Sequence, residues 1–289
     1  MTVGVSLKPV GQLSPDAVSA YVDVSSIGTV RGNSVLSADG NWLVTPVTTT
    51  TNVVAVAVYH LSPEGWVVST VLYPSVEETG NGFGNAIAIN ATGDIIVVGA
   101  PDATVSAGIW STNPQTHAGD LHYYQHTNDT WSQGARFWLP GSYPSVAKNF
   151  GASLSISSDG KFVIIGQPFS CNSEKGVNLQ SNAWLMMQVS GNTFKMVRRF
   201  TGPSQRECHY GNFVKISADG VSVLCSNFYA NSNTGEQYAL IDEWKLNPSN
   251  IWELKASVPI MAGLLTLNQV SGQISLSELF KQGSLAFAF

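Results

Sequence analysis

Four stretches of this chain read alike, and their repetition constrains the fold more than any other feature. They are Ser34 to Val44 (SVLSADGNWLV), Ala86 to Gly99 (AIAINATGDIIVVG), Ser153 to Gly166 (SLSISSDGKFVIIG) and Phe213 to Cys225 (FVKISADGVSVLC). Each is a short alternating apolar run, a turn ending in Gly, and a second apolar run. The turn glycines Gly40, Gly93, Gly160 and Gly220 fall 53, 67 and 60 residues apart. A repeat of this period, written in strand patterns, predicts an all-β fold: a β-propeller of four-stranded antiparallel blades.

Within the second repeat, the alternation predicts strands over Ala86–Asn90, Asp94–Gly99, Leu121–His126 and Trp131–Leu139. The first turn of each repeat is Asp-Gly, or Thr92-Gly93 in the second, and reads as a two-residue type I′ hairpin. Before the last strand of each repeat, a polar turn precedes one large ring: Trp66, Trp131, Phe194 or Trp252. That recurrence places the ring at a fixed site in the core of each blade. The connections between second and third strands vary most, over residues 101–119, 168–181 and 227–235. Variable loops on a constant frame are where binding concentrates.

The chain divides into an extension over residues 1–27, the propeller over 28–258 and an apolar segment over 259–289. Four complete units fit into 28–258, giving a four-bladed ring with extensions at both ends. A fifth blade would need Val5–Leu13 as its outer strand and Leu264–Leu267, Gln273–Leu276 and Leu285–Phe289 as the rest. Ser277–Lys281 reads as helical, which favours four.

Composition narrows the function. Charged residues make up only 11% of the chain, well under the roughly 25% of an average domain. Net charge is −5 and the densest basic spot is Arg198-Arg199, so a nucleic-acid partner is not expected. Cys171, Cys208 and Cys225 lack metal-binding spacing; reduced thiols and one disulfide with a leftover thiol both fit. The first residues carry no secretory signal pattern, and the apolar runs are too short to insert in a membrane. Neither a metal nor a cofactor is expected.

Catalytic patterns are weak. Gly151-Ala152-Ser153-Leu154-Ser155 lacks the last Gly of a nucleophile elbow and sits in a strand. His122, Tyr124 and His126 share one strand face, with the two imidazoles about 13 Å apart at strand rise, too far to share an ion; packing is the expected role. Glu77-Glu78 and Asp242-Glu243 are adjacent acids with no spacing that implies a cleft. Asn90-Ala91-Thr92 and Asn128-Asp129-Thr130 are glycosylation sequons in turns. The expectation is that the chain is not an enzyme.

The opening of each repeat adds a further pattern. Phe83-Gly84-Asn85, Phe150-Gly151-Ala152 and Tyr210-Gly211-Asn212 precede the first strands, and the second strands end Val98-Gly99-Ala100-Pro101 and Ile165-Gly166-Gln167-Pro168. Aromatic-Gly followed by Gly-Ala-Pro resembles the FG-GAP repeat, the blade unit of integrin α-chain propellers and of many bacterial and viral surface proteins. In the first repeat Gly32-Asn33 stands for the aromatic-Gly pair and Val44-Thr45-Pro46 for Gly-Ala-Pro; the fourth ends Cys225-Ser226-Asn227. The resemblance implies a propeller used for binding or scaffolding. The calcium loop that many members carry is absent here, so calcium is not implied. Ser37 to Trp42 faintly resembles the Asp box of sialidase propellers, but its Asp abuts the Gly. The arginines Arg31, Arg136, Arg198, Arg199 and Arg206 form no pattern of the kind a sialidase needs.

Two groups of residues are expected to make contacts. The rings Trp110, His117, Tyr143, Phe169, Phe228 and Tyr229 fall in expected loops, where they could stack on sugars or anchor a partner. Ile274, Leu276, Leu279, Phe280, Phe287 and Phe289 make the C-terminal segment apolar and fit it for docking or ring closure. Gly272-Gln273-Ile274-Ser275-Leu276-Ser277-Glu278-Leu279 resembles a short segment of some bacteriophage tail and fibre proteins. The function expected is a non-catalytic structural or attachment propeller of a virion, a phage tail or fibre component. Its partners would be other structural subunits in a symmetric assembly, and host surface glycan. A cellular adhesion or lectin-like module at the cell surface, and a propeller glycoside hydrolase, are the alternatives.

Overall fold

The computed structural model describes residues 5–6, 21–22, 24–74, 80–104, 118–138, 149–168, 182–190, 193–201, 210–230 and 237–260. Among these residues there is no helix. The first sheet holds β3 (Gly28–Val30), β4 (Val35–Leu36), β5 (Trp42–Thr49), β6 (Val54–Ser62) and β7 (Gly65–Leu72). The second holds β8 (Ala86–Ile89), β9 (Ile95–Ala100), β10 (Asp120–Thr127) and β11 (Thr130–Phe137). The third holds β12 (Ser153–Ile156), β13 (Phe162–Gln167), β14 (Asn182–Ser190) and β15 (Thr193–Phe200). The fourth holds β16 (Val214–Ile216), β17 (Ser222–Ala230), β18 (Gln237–Leu246) and β19 (Trp252–Ile260). All four are antiparallel meanders, and β1 (Val5–Ser6) with β2 (Tyr21–Val22) forms a separate small pair.

Alternation explains how neighbouring sheets pack. Val44, Val56 and Val58 of the first sheet meet Ile96, Val98 and Tyr124 of the second. Val97 and Tyr123 on the second sheet's other face meet Val163, Ile165 and Trp184 of the third. Ile164, Leu185 and Phe200 then meet Val214, Val223 and Cys225 of the fourth. The second and third sheets thus bury both faces between neighbours, the requirement that turns a set of meanders into a stack of blades. The recurring ring before each last strand has the fixed place expected of it. Trp131, Phe194 and Trp252 pack into these three interfaces, and Trp66 packs on the first sheet's outward cluster beside Val24 and Ile27.

The junctions are stitched at the turns. The Asp39 N–H donates to Ala91 O at 3.1 Å, Ala91 N–H to Ser158 O at 3.1 Å, and Ser158 N–H to Ala218 O at 3.0 Å. Gly93, Gly160 and Gly220 also lie on the first residues of β5, β9 and β13, each in the sheet before. A β-carbon would come within 2.0 Å of Trp42 at Gly93, 2.4 Å of Ile95 at Gly160 and 2.7 Å of Phe162 at Gly220. Among the described residues neither contact is repeated from the fourth sheet to the first, and nothing lies within 4 Å of a β-carbon at Gly40. The strands β4, β8, β12 and β16 line a central cavity of about 260 Å³. The chain is a β-propeller of four-stranded antiparallel blades.

Three expectations change. The first hairpins are not type I′. Only the glycine of each Asp-Gly pair has positive φ, between 74° and 78° at Gly40, Gly160 and Gly220. A four-residue loop is closed instead by a side chain: Ser37 Oγ accepts the Trp42 N–H at 3.0 Å and donates to Asp39 Oδ1 at 2.5 Å. Ser157 and Ser217 repeat this, and Asn90 accepts the Ile95 N–H at 3.0 Å. The type I′ turn is at Asn128 and Asp129, with φ of 50° and 59°, which these residues tolerate. Second, Arg31 and not Gly32 holds the place of the opening glycine. Its N–H donates to Pro46 O, as those of Gly84, Gly151 and Gly211 do to Gly99, Gly166 and Ser226. Third, β17 runs on to Ala230, so the fourth unit's connection is shorter than 227–235.

Candidate functional site

Four rings from four different strands meet at the rim between the first two blades. Trp42 opens β5, His60 lies late in β6, His126 late in β10, and Trp131 early in β11. Ring centroids are 4.6 Å apart for Trp42–His60, 4.9 Å for Trp42–His126, 5.6 Å for Trp42–Trp131 and 5.1 Å for His126–Trp131. Trp42–Trp131 is edge-on at 82°, a favoured geometry for aromatic pairs. Trp131 Nε1 donates to Ser69 Oγ at 3.3 Å, which ties the ring to β7. All four rings are half-buried, and exposed Val67 pairs across the sheet with His60. The result is an apolar, ring-walled patch with indole N–H and imidazole groups at its border. Such a surface suits a stacked sugar or the apolar anchor of a protein.

Apolar side chains are also exposed on two outer strands, β7 and, between Lys195 and Arg198, β15. Val67 and Val68 on β7 are 45% and 47% exposed, and Met196 and Val197 on β15 are 51% and 42% exposed. Strand β7 has no charged residue at all (GWVVSTVL). The short strand β2 passes near β7 without pairing with it. An edge strand presents unpaired backbone groups, and one that is apolar and uncharged invites another chain.

Charged groups in the interior serve the frame. Asp120 is fully buried and ion-paired with Arg136, whose Nη2 also donates to Thr104 O at 3.3 Å. His122 Nε2 lies 3.2 Å from Asp120 Oδ1, and its ring meets Phe83 edge-on at 5.0 Å. Burial, with the Asp120 charge adding to it, pushes the Tyr124 hydroxyl well above the usual tyrosine range. Its O–H donates to Tyr73 O at 2.5 Å. Asp242 is buried and accepts from Ser257 Oγ at 2.6 Å, while Glu243 on the opposite face pairs with Lys245 at 2.9 Å. These adjacent acids therefore face apart. The arginines are dispersed: Arg31 donates to Phe83 O, Arg198 lies over Trp244 and Arg199 over Trp184. Ser153 Oγ donates to Gly211 O at 2.7 Å in a blade junction. Among the described residues no three His, Cys, Asp or Glu gather as a metal site would need.

The expected contact residues fare differently. Trp110, His117, Tyr143, Phe169 and the C-terminal Ile274, Leu276, Leu279, Phe280, Phe287 and Phe289 lie outside the described residues, as do Glu77-Glu78, Arg206, Cys171 and Cys208. Phe228 and Tyr229 are in strand β17, not in a loop: their backbones pair with Ala239 and Tyr238. Of the sequons, Asn90 is buried and hydrogen-bonded to Thr92 and Asp94, which closes it to a glycan. His122 and His126 do pack, as expected, on one strand face. The rim patch was not anticipated. Its only sequence sign was Trp131 in the recurring ring position, and Trp42 lies a whole repeat away.

No protein-family model matches the chain, and no curated protein sequence matches it. Solved propellers do. A proposed 6-phosphogluconolactonase of Bacteroides uniformis is 12% identical, with 86% of this chain and 58% of that one covered, at a TM-score of 0.47. The β-propeller domain of Cps50 (Swd1) from Myceliophteria thermophila is 7% identical, with 80% and 72% covered, at 0.40. The periplasmic gluconolactonase of Pseudomonas aeruginosa is 13% identical, with 78% and 69% covered, at 0.40. This chain spans under two thirds of the Bacteroides uniformis protein. The expectation of a chain that is not an enzyme is corrected here, because propellers named for lactonase chemistry stand among the similar structures. At such identity the likeness concerns the frame alone and assigns no reaction.

Proposed function

We propose that this chain is a contact propeller of a virus particle, a tail, fibre or surface-attachment component. Its outer edges seat against neighbouring subunits, and its rim patch engages a partner's apolar anchor or a host glycan. The observation that carries this reading is the bare apolar edge of the first blade: Val67 and Val68 exposed on an uncharged outer strand. A chain that works alone is better served by charged edges. The low charge of the sequence, the resemblance of its repeats to FG-GAP units and that of residues 272–279 to phage tail segments support the same reading. The apolar C-terminal segment would then anchor the subunit.

The test is the double substitution Val67→Lys, Val68→Lys. Both side chains are exposed, so the fold should persist by circular dichroism. Self-association, or incorporation into particles in the producing host, should fall at least about tenfold, since central apolar contacts are each worth more than about 1 kcal/mol. Unchanged association and incorporation would reject the edge as the seat. A second reading, a lectin-like adhesion module, is favoured by the Trp42–Trp131 patch. Strong signals on a glycan array from a stable monomer, abolished by Trp131→Ala, would select it.

A further inference from the structure

The fourth blade ends the described array, yet the apolar pair on its far face is buried. Pro46, Gly99, Gly166 and Ser226 hold one place in the four sheets, since each carbonyl accepts the N–H that opens its own blade, from Arg31, Gly84, Gly151 and Gly211. Two residues before them stand Val44, Val97, Ile164 and Leu224, and across the sheet from them Val56, Leu121, Ala183 and Ile241. In the first three blades these pairs lie in cores shared with the next blade. Leu224 and Ile241 are as deeply buried, at 2% and 3% exposure, but belong to no apolar cluster of described residues. The outward cluster of the first blade, with Leu43, Val47, Ala55, Ala57 and Tyr59, includes no residue of the fourth. Burial within the single chain also leaves no need of a second copy to cover the pair.

At the other junctions the cover includes the inner strand of the next blade. Ile87 and Ile89 on β8, Leu154 and Ile156 on β12, and Val214 and Ile216 on β16 each pack on the blade before. The residue after each pair, Asn90, Ser157 or Ser217, accepts the N–H that closes the following loop. An inner strand is thus written apolar, any residue, apolar, then Asn or Ser. Its distance from the preceding outer strand is also narrow: Ile87 follows Leu72 by 15 residues, Leu154 follows Phe137 by 17, and Val214 follows Phe200 by 14. Ile274-Ser275-Leu276-Ser277 repeats the pattern, and Ile274 follows Ile260, the end of β19, by 14. Leu265-Thr266-Leu267-Asn268 has the same pattern but begins 5 residues after Ile260, too soon for the same path. No glycine turn follows Ser277, so the pattern predicts one strand and not a hairpin.

We propose that residues 274–277, which lie outside the described residues, form a fifth inner strand that seats Ile274 and Leu276 on Leu224 and Ile241 of the fourth blade. An apolar sheet face needs such a cover, and the two-residue period of a strand puts Ile274 and Leu276 on one side. Ser271 then holds the place of Gly84, Gly151 and Gly211, a place that Arg31 in the first blade shows need not be glycine. On this assignment Ile274 and Leu276 serve the ring. Leu279, Phe280, Phe287 and Phe289 are left for the contacts with other subunits proposed above.

Methyl NMR of the full chain reads the contact directly. Nuclear Overhauser cross-peaks should join the methyls of Leu224 and Ile241 to those of Ile274 and Leu276, each assigned by a single conservative substitution. In thermal melts Leu276→Asp should lower the midpoint by roughly 4 °C or more, and Leu279→Asp by less than about 2 °C. Cross-peaks that run instead to Leu43 and Val47 of the first blade, or to Leu265 and Leu267, would overturn the assignment. So would the absence of any to Ile274 and Leu276, or equal losses from the two Asp variants. Strand β7 is not involved, so either outcome leaves the reading of that edge intact.

Discussion

The carbonyl oxygen of Gly211 faces the α-carbon of Gly166 so closely that a β-carbon there would come within 1.9 Å of it. Gly99 and Gly151 repeat the relation one junction earlier, at 2.0 Å. The glycine that ends the second strand therefore exists for the blade that follows it, whose opening glycine passes directly over it.

Gly166→Ala should open the junction between third and fourth blades and cost about 3 kcal/mol or more, at the upper end of overpacking losses, because the obstructing atom is backbone. Gly40→Ala has no neighbour to strike and should cost only the left-handed φ of Gly40, about 1 kcal/mol. Urea denaturation of both variants compares them directly. Equal losses would mean that the approach of Gly211 does not set the junction.

The recurring ring separates stability from binding. Trp252 is 7% exposed in the core between third and fourth blades, and Trp252→Ala should cost about 3–5 kcal/mol. Trp131 is half-buried at the rim, so Trp131→Ala should cost about half of that while weakening partner or sugar binding about tenfold. Thermal melts paired with binding to the cognate particle or glycan would show the split. The reverse order of stability loss would contradict the burial assignment.

The turn acids predict a pH dependence. The Ser217 hydroxyl and then the Val221 N–H hold the Asp219 carboxyl below its ordinary value of 3.8. At Asp39 and Asp159 partial burial pushes upward and is outweighed by hydrogen bonds from Ser37 and Asn41, and from Lys161 and Ser157. A depressed folded-state pKa gives stability that is present above the unfolded value and lost as pH falls through the folded one. Stability should therefore decline below about pH 4, and the triple variant Asp39→Asn, Asp159→Asn, Asp219→Asn should show a shallower decline. The contribution is modest because the groups are near the surface. An unchanged slope in urea titrations at pH 2.5–5 would refute the assignment.

Cys225 should be chemically silent in the fold. It is fully buried, and burial, which outweighs the lowering effect of its hydrogen bond with Tyr210, holds its thiol above the ordinary range. Thiolate is the reactive form. Peptide mapping after maleimide treatment should find Cys225 modified only in denaturant. Modification under native conditions would mean that the junction it sits in opens.

Much of the frame was legible because it depends on local pattern. Alternation gave the strands, Gly after Asp gave the hairpins, and four copies of one ring gave a common packing place. The turn geometry was misread because Ser37, Ser157 and Ser217 close their loops through a hydroxyl, a partner that a two-residue rule does not consider. Phe228 and Tyr229 looked like loop residues beside Asn227, Asn231 and Ser232, yet β18 offers them a long edge to pair with. Arg31 could not be seen as the glycine equivalent until its N–H was found on Pro46. The rim patch was invisible for a different reason: Trp42 and His60 belong to one blade and His126 and Trp131 to the next, and only the blade-to-blade packing brings them together.

Hydrogen exchange of the backbone in strand β7 tests the central proposal most directly, because among the described strands β7 pairs only with β6. Rapid exchange, in the isolated chain, of those β7 amides that point away from β6, and their protection in the assembled particle, is the predicted result. Equal, rapid exchange of those amides in both states would contradict it.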